Sequence, residues 1–368
     1  MSPSAEHLLT SLRVDLWQAD DQAWRRHPGM LPACPPAVEL AAAGREAHGP
    51  LLAALRAERD DSLRFRNALV LLLYFDSLFV YRELKALYGT ASEAQRQWLG
   101  EACRKLLVRC FHHASGRDPS RFRDIGKNTW RGRLGTTAAV VALAAETLAE
   151  RGRKAVVRDM GVSDGGTSLD LAEAAAEQAV PLAIVATDRF LFLHFAERDG
   201  DRAVFASGGA PIQYELDGKA RRAADAEPQP RLDALFRPGG LERITMLAPE
   251  VELAAESGRC DIAFKEEDVL RPEPDLAQAD ILRVANVLVE ATADHRGYFT
   301  RDEIVRAIAR LGAHARDGAR LVLDNFRRKI ERGGLWRKDA AAGCWRRLHT
   351  PAGLPDVLDG IADIPIAP

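Results

Sequence analysis

The 368-residue sequence contains few cysteines, and none of them is spaced for metal binding or for a regular disulfide framework. There are five, an odd number, scattered along the chain: Cys34, Cys103, Cys110, Cys260 and Cys344. No pair has the short spacing of a zinc site. We therefore predict free thiols in a reducing, cytoplasmic environment and no metal centre.

The sequence also lacks a strong charge of either sign and lacks an uninterrupted apolar run. Its formal net charge is −2, which gives no general attraction for nucleic acid or for an anionic membrane. The most apolar stretch, DSLRFRNALVLLLYFDSLFVYRELKALYG, is interrupted by Asp76 and flanked by Arg66 and Arg82. A membrane span needs roughly 20 apolar residues, so this stretch predicts a buried helix. The first residues, MSPSAEHLLTSLRVDLW, contain no apolar signal core.

The spacing of apolar residues predicts two domains. Residues 1–128 show mainly helical spacing and form the predicted N-terminal helical domain. Residues 129–368 alternate between strand and helix patterns, which predicts an α/β domain. After position 188, two apolar runs on either side of RDGDR predict a β-hairpin inserted near residues 190–216.

The most informative stretch is AVVRDMGVSDGGTSLDLAEAAAEQA, residues 155–179. It reads as a buried strand, a glycine-rich loop and an alanine-rich helix, the local pattern of a nucleotide-binding crevice. Gly161 and Gly166 match the outer positions of G-x-G-x-x-G, but Ser163 stands at the middle position. The middle glycine normally lets the backbone approach a pyrophosphate, so a ligand without a pyrophosphate is favoured.

An acidic residue follows the next predicted strand. The run VPLAIVATDRF reads as that strand and places Asp188 at its end, twenty-two residues after Gly166. A carboxylate at this position can hold both hydroxyl groups of a ribose. The strand–loop–helix stretch and Asp188 therefore predict a site for a nucleoside-containing ligand.

This arrangement resembles the Rossmann-like class I methyltransferases that use S-adenosylmethionine. The resemblance implies an α/β sandwich with a mostly parallel sheet and a closing antiparallel hairpin. It also implies an enzyme of the EC 2.1.1 type with S-adenosylmethionine as its cofactor. By position in the family motifs, the first-motif residues, which lie under the methionine part and the ribose, would be Asp159, Gly161, Ser163 and Gly165.

Three further positions follow from the same resemblance. Asp188 would bind the ribose diol. Asp268, after the strand in the run DIAFKEEDVL, would bind the adenine amino group, although the neighbouring acids Glu266 and Glu267 leave this choice open. Asn286, in ADILRVANVLVEA, would end the fourth strand near the methyl group.

The acceptor site has weaker signals. If the acceptor is a hydroxyl, a general base could assist, and the candidates by side-chain type are His194, Tyr214 and Tyr298. Residues 116–135, GRDPSRFRDIGKNTWRGRLG, form a basic connector that allows three interpretations. It could be a solvated linker, a site for an anionic acceptor or the cofactor carboxylate, or a nucleic-acid contact. Under the second reading the substrate-binding candidates are Trp130, Arg131 and Arg133.

Several functions stay open at this point. The leading one is methyl transfer to a small or medium-sized acceptor, with the helical domain as a lid or a homodimer contact. Alternatives within the class are a carboxyl methyltransferase like those of chemotaxis receptors, or a nucleic-acid methyltransferase, against which the net charge argues. Outside the class are a non-catalytic cofactor-binding or scaffold protein and an NAD-dependent oxidoreductase. Ser163 and the closing hairpin argue against the oxidoreductase.

Overall fold

The fold was taken from a computed structural model that describes most of the chain. The described residues are 9, 15–18, 45–75, 77–114, 134–217, 219–222, 230–236, 240–290, 299–327, 330–351, 353–358 and 361–366. The chain forms two compact units. Unit 1 comprises Met1–Asn128 and Phe192–Glu250, and unit 2 comprises Thr129–Leu191 and Val251–Pro368.

The described helices and strands are numbered here in chain order. The helices are α1 Arg45–Ala57, α2 Leu63–Leu73, α3 Leu78–Thr90, α4 Glu93–Ala114, α5 Leu134–Arg151, α6 Gly166–Glu177, α7 Pro230–Leu235, α8 Pro249–Glu256 and α9 Arg301–His314. The strands are β1 Ala155–Met160, β2 Leu182–Asp188, β3 Phe192–Arg198, β4 Asp201–Ala206, β5 Pro211–Leu216, β6 Lys219–Arg222, β7 Glu242–Thr245, β8 Ile262–Glu266, β9 Ile281–Ala285, β10 Arg320–Arg327, β11 Ile330–Asp339, β12 Cys344–His349 and β13 Ile364–Pro365.

The apolar stretch of unit 1 forms two helices, and the prediction of one continuous helix was wrong. Helix α2 begins after Ser62, whose hydroxyl accepts a hydrogen bond from the Phe65 N–H at 3.1 Å. Helix α3 begins at Leu78, whose N–H donates to Gln213 Oε1 at 2.7 Å. That bond satisfies a donor which the first turn of a helix cannot pair internally. Because Gln213 is 135 positions away, the local sequence does not identify this partner.

The residues inserted after β2 form a five-stranded antiparallel sheet in unit 1, with the order β6-β5-β4-β3-β7. Strands β3 and β4 are the hairpin around RDGDR, and both turn residues, Asp199 and Gly200, have positive φ. The polar, proline-containing sequence KARRAADAEPQPR, which begins at Lys219, predicts an exposed loop. Its first four residues instead form β6, paired with β5.

The inserted sheet is attached to the N-terminal helices by polar contacts as well as by packing. The ammonium group of Lys85 in α3 donates to Thr245 O at 2.7 Å and to Thr245 Oγ1 at 2.8 Å. The Tyr81 hydroxyl donates to the same carbonyl at 3.0 Å. Phe79 meets Phe195 edge to face, with ring centroids 5.9 Å apart. Strands β3 and β7 therefore depend on α3 for part of their core.

Unit 2 contains an eight-stranded sheet with the order β13-β12-β11-β10-β9-β1-β2-β8. Strands β8, β2, β1, β9 and β10 are parallel, and β11, β12 and β13 extend the sheet by antiparallel pairing. The predicted fold class, a mostly parallel α/β sheet with a closing antiparallel hairpin, is confirmed. Chain order reverses at β1, because β2 lies on one side of it and β9 on the other.

Helices cover both faces of this sheet. Helix α9 packs on one face in a core with Leu282, Leu321, Trp336 and Trp345. It begins with a capping box formed by Thr300 and Glu303, a pairing that the sequence spacing of the two residues indicates. Helices α5 and α6 contact each other and the strands on the opposite face. In such a doubly wound sheet, ligands bind at the carboxyl ends of the strands where the chain order reverses, which here is beside β1.

Within the part of the chain that the structure describes, no helix combines the length and the apolar character needed to cross a membrane.

Candidate functional site

The loop after β1 has an unusual backbone. Gly161, Ser163 and Gly165 all have positive φ, at 75°, 58° and 79°. Glycine adopts this region freely, whereas a serine does so only at a cost. The conformation of Ser163 is therefore held by its surroundings. A strained residue of this kind is more frequent at functional sites than elsewhere.

The position of Gly161 is fixed by the neighbouring strand end. Its N–H donates to Thr187 O at 2.7 Å, which joins the end of β1 to the end of β2. A Cβ atom at Gly161 would lie 1.8 Å from Val287 Cγ2, a distance that no packing tolerates. Glycine is thus required at this position by the Val287 side chain, quite apart from any ligand.

Helix α6 begins directly after the loop. Thr167 and Ser168 are the residues whose side chains the sequence offers as a cap, but the N-cap of the helix is Gly165. The first helical N–H, that of Gly166, donates to Asp164 Oδ1 at 3.0 Å. The Ser168 hydroxyl instead donates to Asp159 Oδ2 at 2.7 Å. The amino-terminal end of α6, which carries partial positive charge, therefore adjoins the loop.

Asp188 ends β2 and is linked to the loop after β1. Its Oδ2 accepts a hydrogen bond from the Ser163 N–H at 2.8 Å, and its Oδ1 accepts one from the Phe190 N–H at 3.1 Å. The residue is nine-tenths buried. Each carboxylate oxygen can accept more than one hydrogen bond, so the carboxylate is oriented by the backbone and keeps acceptor capacity for a ligand.

Asp159, one residue before the end of β1, belongs to a buried ionic network. The guanidinium of Arg283 lies between Asp159, at 3.3 Å, and Asp324, at 3.4 Å, and all three side chains are fully buried. Burial by itself lowers the pKa of Arg283, but the two carboxylates outweigh it and raise that pKa. Asp324 also accepts a hydrogen bond from the Thr136 hydroxyl at 3.2 Å.

One oxygen of this network has no partner. Asp159 Oδ1 is buried and accepts no hydrogen bond from any described residue. A buried carboxylate oxygen left unpaired is costly. It is therefore an acceptor suited to a donor group of a ligand at the end of β1. The sequence reasoning selected Asp159 and missed Arg283, Asp324 and Thr136, although an arginine inside the apolar run ILRVA signals a buried acidic partner.

The three consecutive acids Glu266, Glu267 and Asp268, at the end of β8 and directly after it, have different partners and different burial. Glu266 Oε1 accepts a hydrogen bond from the Leu191 N–H at 2.9 Å. Glu267 is buried and pairs with Arg158 at 3.5 Å. Asp268 accepts a hydrogen bond from the Leu270 N–H at 2.9 Å and keeps 23% of its side chain exposed. Asp268 also pairs with Arg189 at 3.8 Å.

Asn286 follows β9 with a positive φ of 56°. Its N–H donates to Asp324 O at 2.8 Å, which ties the end of β9 to β10. Asparagine tolerates the left-handed conformation better than most residues. The structure thus places all seven cofactor candidates at or just after the carboxyl ends of β1, β2, β8 and β9 in unit 2.

The candidates for acceptor chemistry are distributed differently. His194 lies on β3 and Tyr214 on β5, both in the inserted sheet of unit 1. Tyr214 is fully buried in the core of that sheet, and its hydroxyl has no hydrogen-bond partner among the described residues. Tyr298 and the three connector residues Trp130, Arg131 and Arg133 lie outside the described residues.

No protein-family profile and no curated protein sequence matches the chain. Solved structures of methyltransferases match it at low similarity. The DszA carbon methyltransferase is 11% identical over 84% of this chain and 75% of its own, with a TM-score of 0.28. Phosphoethanolamine N-methyltransferase 1 from Haemonchus contortus, solved with phosphoethanolamine and S-adenosylhomocysteine, is 9% identical over 62% of this chain and 33% of its own, with a TM-score of 0.27.

The YcgJ protein from Bacillus subtilis is 14% identical over 52% of this chain and 50% of its own, with a TM-score of 0.24. The chain therefore spans about half or less of the length of several structures that it matches.

Proposed function

We propose that unit 2 binds S-adenosylmethionine and transfers its methyl group to a small or medium-sized acceptor. One observation carries the proposal. The loop after β1 is bound through the Ser163 N–H to the Asp188 carboxylate at 2.8 Å, beside the point where the chain order reverses. This is the position at which a doubly wound sheet binds a nucleoside-containing ligand.

The residues present fit this cofactor. Asp188 offers carboxylate oxygens to a ribose diol, and two backbone N–H groups hold it in place. Asp159 Oδ1 is a buried acceptor without a partner among the described residues, suited to a ligand ammonium or hydroxyl group. Asp268, whose side chain is 23% exposed, would bind the adenine amino group. Ser163, with its Cβ and positive φ, stands where a dinucleotide site needs glycine.

When bound, the cofactor supplies a methyl group that its sulfonium already activates. The chain therefore has to orient the reacting groups and exclude water rather than generate a nucleophile of its own. His194, Tyr214 and Tyr298 are proposed only as candidates for accepting a proton from a hydroxyl acceptor. Trp130, Arg131 and Arg133 are proposed as contacts for an anionic acceptor.

Calorimetric titration with S-adenosylhomocysteine, S-adenosylmethionine and NAD tests the cofactor. We expect binding of the first two ligands with affinity about a hundredfold higher than for NAD, because no glycine is available for the pyrophosphate approach. NAD binding with no response to S-adenosylhomocysteine would instead support an oxidoreductase. Binding of S-adenosylmethionine without turnover of any acceptor in a broad panel would support a cofactor-binding scaffold.

A further inference from the structure

A row of three arginines crosses the antiparallel part of the sheet in unit 2. Arg320 on β10 lies directly opposite Arg337 on β11, and Arg337 lies directly opposite Arg346 on β12. Cross-strand partners of this kind have Cβ atoms about 4.5–5.5 Å apart, and like charges at that distance destabilise a sheet. Folding stability alone does not favour this arginine row.

The second and third arginines of the row, Arg337 and Arg346, are available to solvent. Arg337 is exposed and forms no side-chain hydrogen bond or ion pair with any described residue, and Arg346 keeps 58% of its side chain exposed. A carboxylate also lies near the row: the pKa of Asp317 is lowered chiefly by a hydrogen bond from the Ala340 N–H and also by the charges of Lys338 and Arg337. Arg346 pairs with Asp339 at 2.8 Å. The row lies on the face opposite the buried rings of Trp336 and Trp345.

A second group of arginines adjoins the row at the amino-terminal end of β9. There the buried carboxylate of Asp280 accepts two hydrogen bonds from Arg153, both at 2.8 Å, and pairs with Arg151 at 3.3 Å and with Arg316. Three guanidinium groups thus share one carboxylate. This Asp280 cluster carries net positive charge.

The Asp280 cluster and the arginine row form one positively charged edge. Burial lowers the pKa of Arg316 although Asp280 raises it, and the charges of neighbouring arginines lower it further. Arg320, the first member of the row, is one of those neighbours. The basic edge lies at the amino-terminal ends of the parallel strands, opposite the strand ends that carry the cofactor candidates.

The dimensions of the basic edge select the kind of partner. It crosses β9, β10, β11 and β12, three strand spacings of about 4.8 Å or roughly 14 Å in all. That is too long for one carboxylate or phosphate and suits several anionic groups in series. Guanidinium groups match carboxylates bidentately, and Asp280 and Asp339 already demonstrate the pairing here.

Nucleic acid fits the basic edge less well. Binding of single strands uses exposed aromatic side chains for stacking, whereas Trp336 and Trp345 beneath the row are buried. A duplex carries one charge per about 1.7 Å of axis and would extend beyond the edge. Because the whole chain has net charge −2, the rest of it is net negative and would repel that extension. We propose that the basic edge binds an acidic segment of a partner protein.

Fluorescence anisotropy with a labelled deca-glutamate peptide tests this interaction surface on the full chain. We expect saturable binding that weakens between roughly 50 and 300 mM salt. The double variant Arg337→Glu/Arg346→Glu should bind about tenfold or more weakly. The matched control Arg259→Glu changes an equally exposed arginine of unit 2 away from the basic edge and should leave binding unchanged within about twofold.

Thermal unfolding of Arg337→Glu separates binding from folding. The substitution turns two cross-strand pairs of like charge, with Arg320 and with Arg346, into pairs of opposite charge. The melting temperature should therefore stay the same or rise, while the affinity for the peptide falls. Absence of peptide binding by the wild-type chain would overturn the proposal, as would equal binding by the double variant. Tighter binding of a 20-base-pair DNA duplex than of the peptide would also overturn it and would identify a nucleic-acid surface.

Discussion

Arg283 illustrates how single charged residues are placed in this chain. It lies in the middle of β9 with no exposed surface, between the carboxylates of Asp159 on β1 and Asp324 on β10. A buried guanidinium is tolerated only when it is paired and hydrogen-bonded. The need for acidic partners is visible in the sequence, but the partners, Asp159 and Asp324, are 124 and 41 positions away.

Replacement of Asp188 by asparagine tests the proposed ribose contact. Two charge-assisted hydrogen bonds of about 1.5–3 kcal/mol each would be weakened, so affinity for S-adenosylhomocysteine should fall about tenfold or more in calorimetry. The control Asp199→Asn changes an exposed turn carboxylate of unit 1 and should bind like the wild type. A loss below about threefold for Asp188→Asn would mean that this carboxylate only supports the loop.

Asp280 provides a test of pH dependence. Burial raises the pKa of this carboxyl, but Arg153, the Val156 N–H and Arg316 lower it to a net value below its usual 3.8. A depressed pKa adds stability above the unfolded-state value, and that stability is lost as the pH falls through the folded-state value. It is therefore present at neutral pH and disappears in acid, below about pH 4.

The variant Asp280→Asn removes this contribution and leaves three arginines without their counter-charge. Because the side chains of Arg151, Arg153 and Arg316 are 36%, 46% and 22% exposed, water can partly replace the lost counter-charge. We therefore expect a loss of about 1–3 kcal/mol in urea denaturation at pH 7, mainly from the hydrogen bonds to the charged carboxylate. The difference from the wild type should shrink as the pH is lowered towards 3. A difference that is constant across this range would mean that the carboxylate charge contributes nothing.

At the scale of elements, the turn from β1 to α6 is shaped by packing as well as by backbone freedom. Gly161 has a positive φ and also lies against the Val287 side chain from the end of β9. The glycine-rich pattern in the sequence indicates the turn. The contact that makes glycine necessary comes from a strand 120 residues later in the order of the chain and is seen only in the folded sheet.

Gly161→Ala should separate these two requirements. The left-handed conformation costs alanine about 1–2 kcal/mol, and the clash with Val287 adds about 1–3 kcal/mol. The control Gly152→Ala has a similar φ of 64° and nothing within 4 Å of the new Cβ, so only the first cost applies. In a Val287→Ala background, Gly161→Ala should cost no more than the control in chemical denaturation; a cost that stays at the higher value would exclude the clash.

At the scale of the whole molecule, unit 1 is assembled from two separate parts of the chain. The residues after β2 return to the N-terminal helices, and Lys85 of α3 binds Thr245 of β7. We keep the proposal that the N-terminal helices cover the acceptor site. Its test by truncation has to respect this assembly, because strands of the inserted sheet depend on α3.

A chain that begins near Thr129 should therefore be poorly soluble, since it keeps β3 to β7 without their helical partners. A chain that also replaces residues 192–250 by a short flexible linker should be more soluble and should retain cofactor binding. Soluble yield, circular dichroism and calorimetry with S-adenosylhomocysteine provide the comparison. Equal yields from the two truncations would contradict the dependence of the sheet on α3, and full methyl transfer by the shorter one would refute a lid.

Local sequence patterns are sufficient to predict the order of strands and helices in unit 2. The apolar runs of β1 and β2, the capping box at Thr300 and the glycine-rich loop are all local patterns, and each depends on residues close together in the chain. The candidate cofactor residues followed from these patterns because they end strands. Parallel strands bring such ends to a common edge.

The features that depend on contacts between distant residues can be identified only in the folded structure. These features include the distant hydrogen-bond partner at the break between α2 and α3 and the buried partners of Arg283. They also include the assignment of residues 192–250 to unit 1 and the cross-strand pairing of Arg320, Arg337 and Arg346. In each case the partner lies on another element, and the strand register or the packing chooses it. A local pattern indicates the propensity and the periodicity of a segment. Which distant residues it contacts depends on the packing of the whole core during folding.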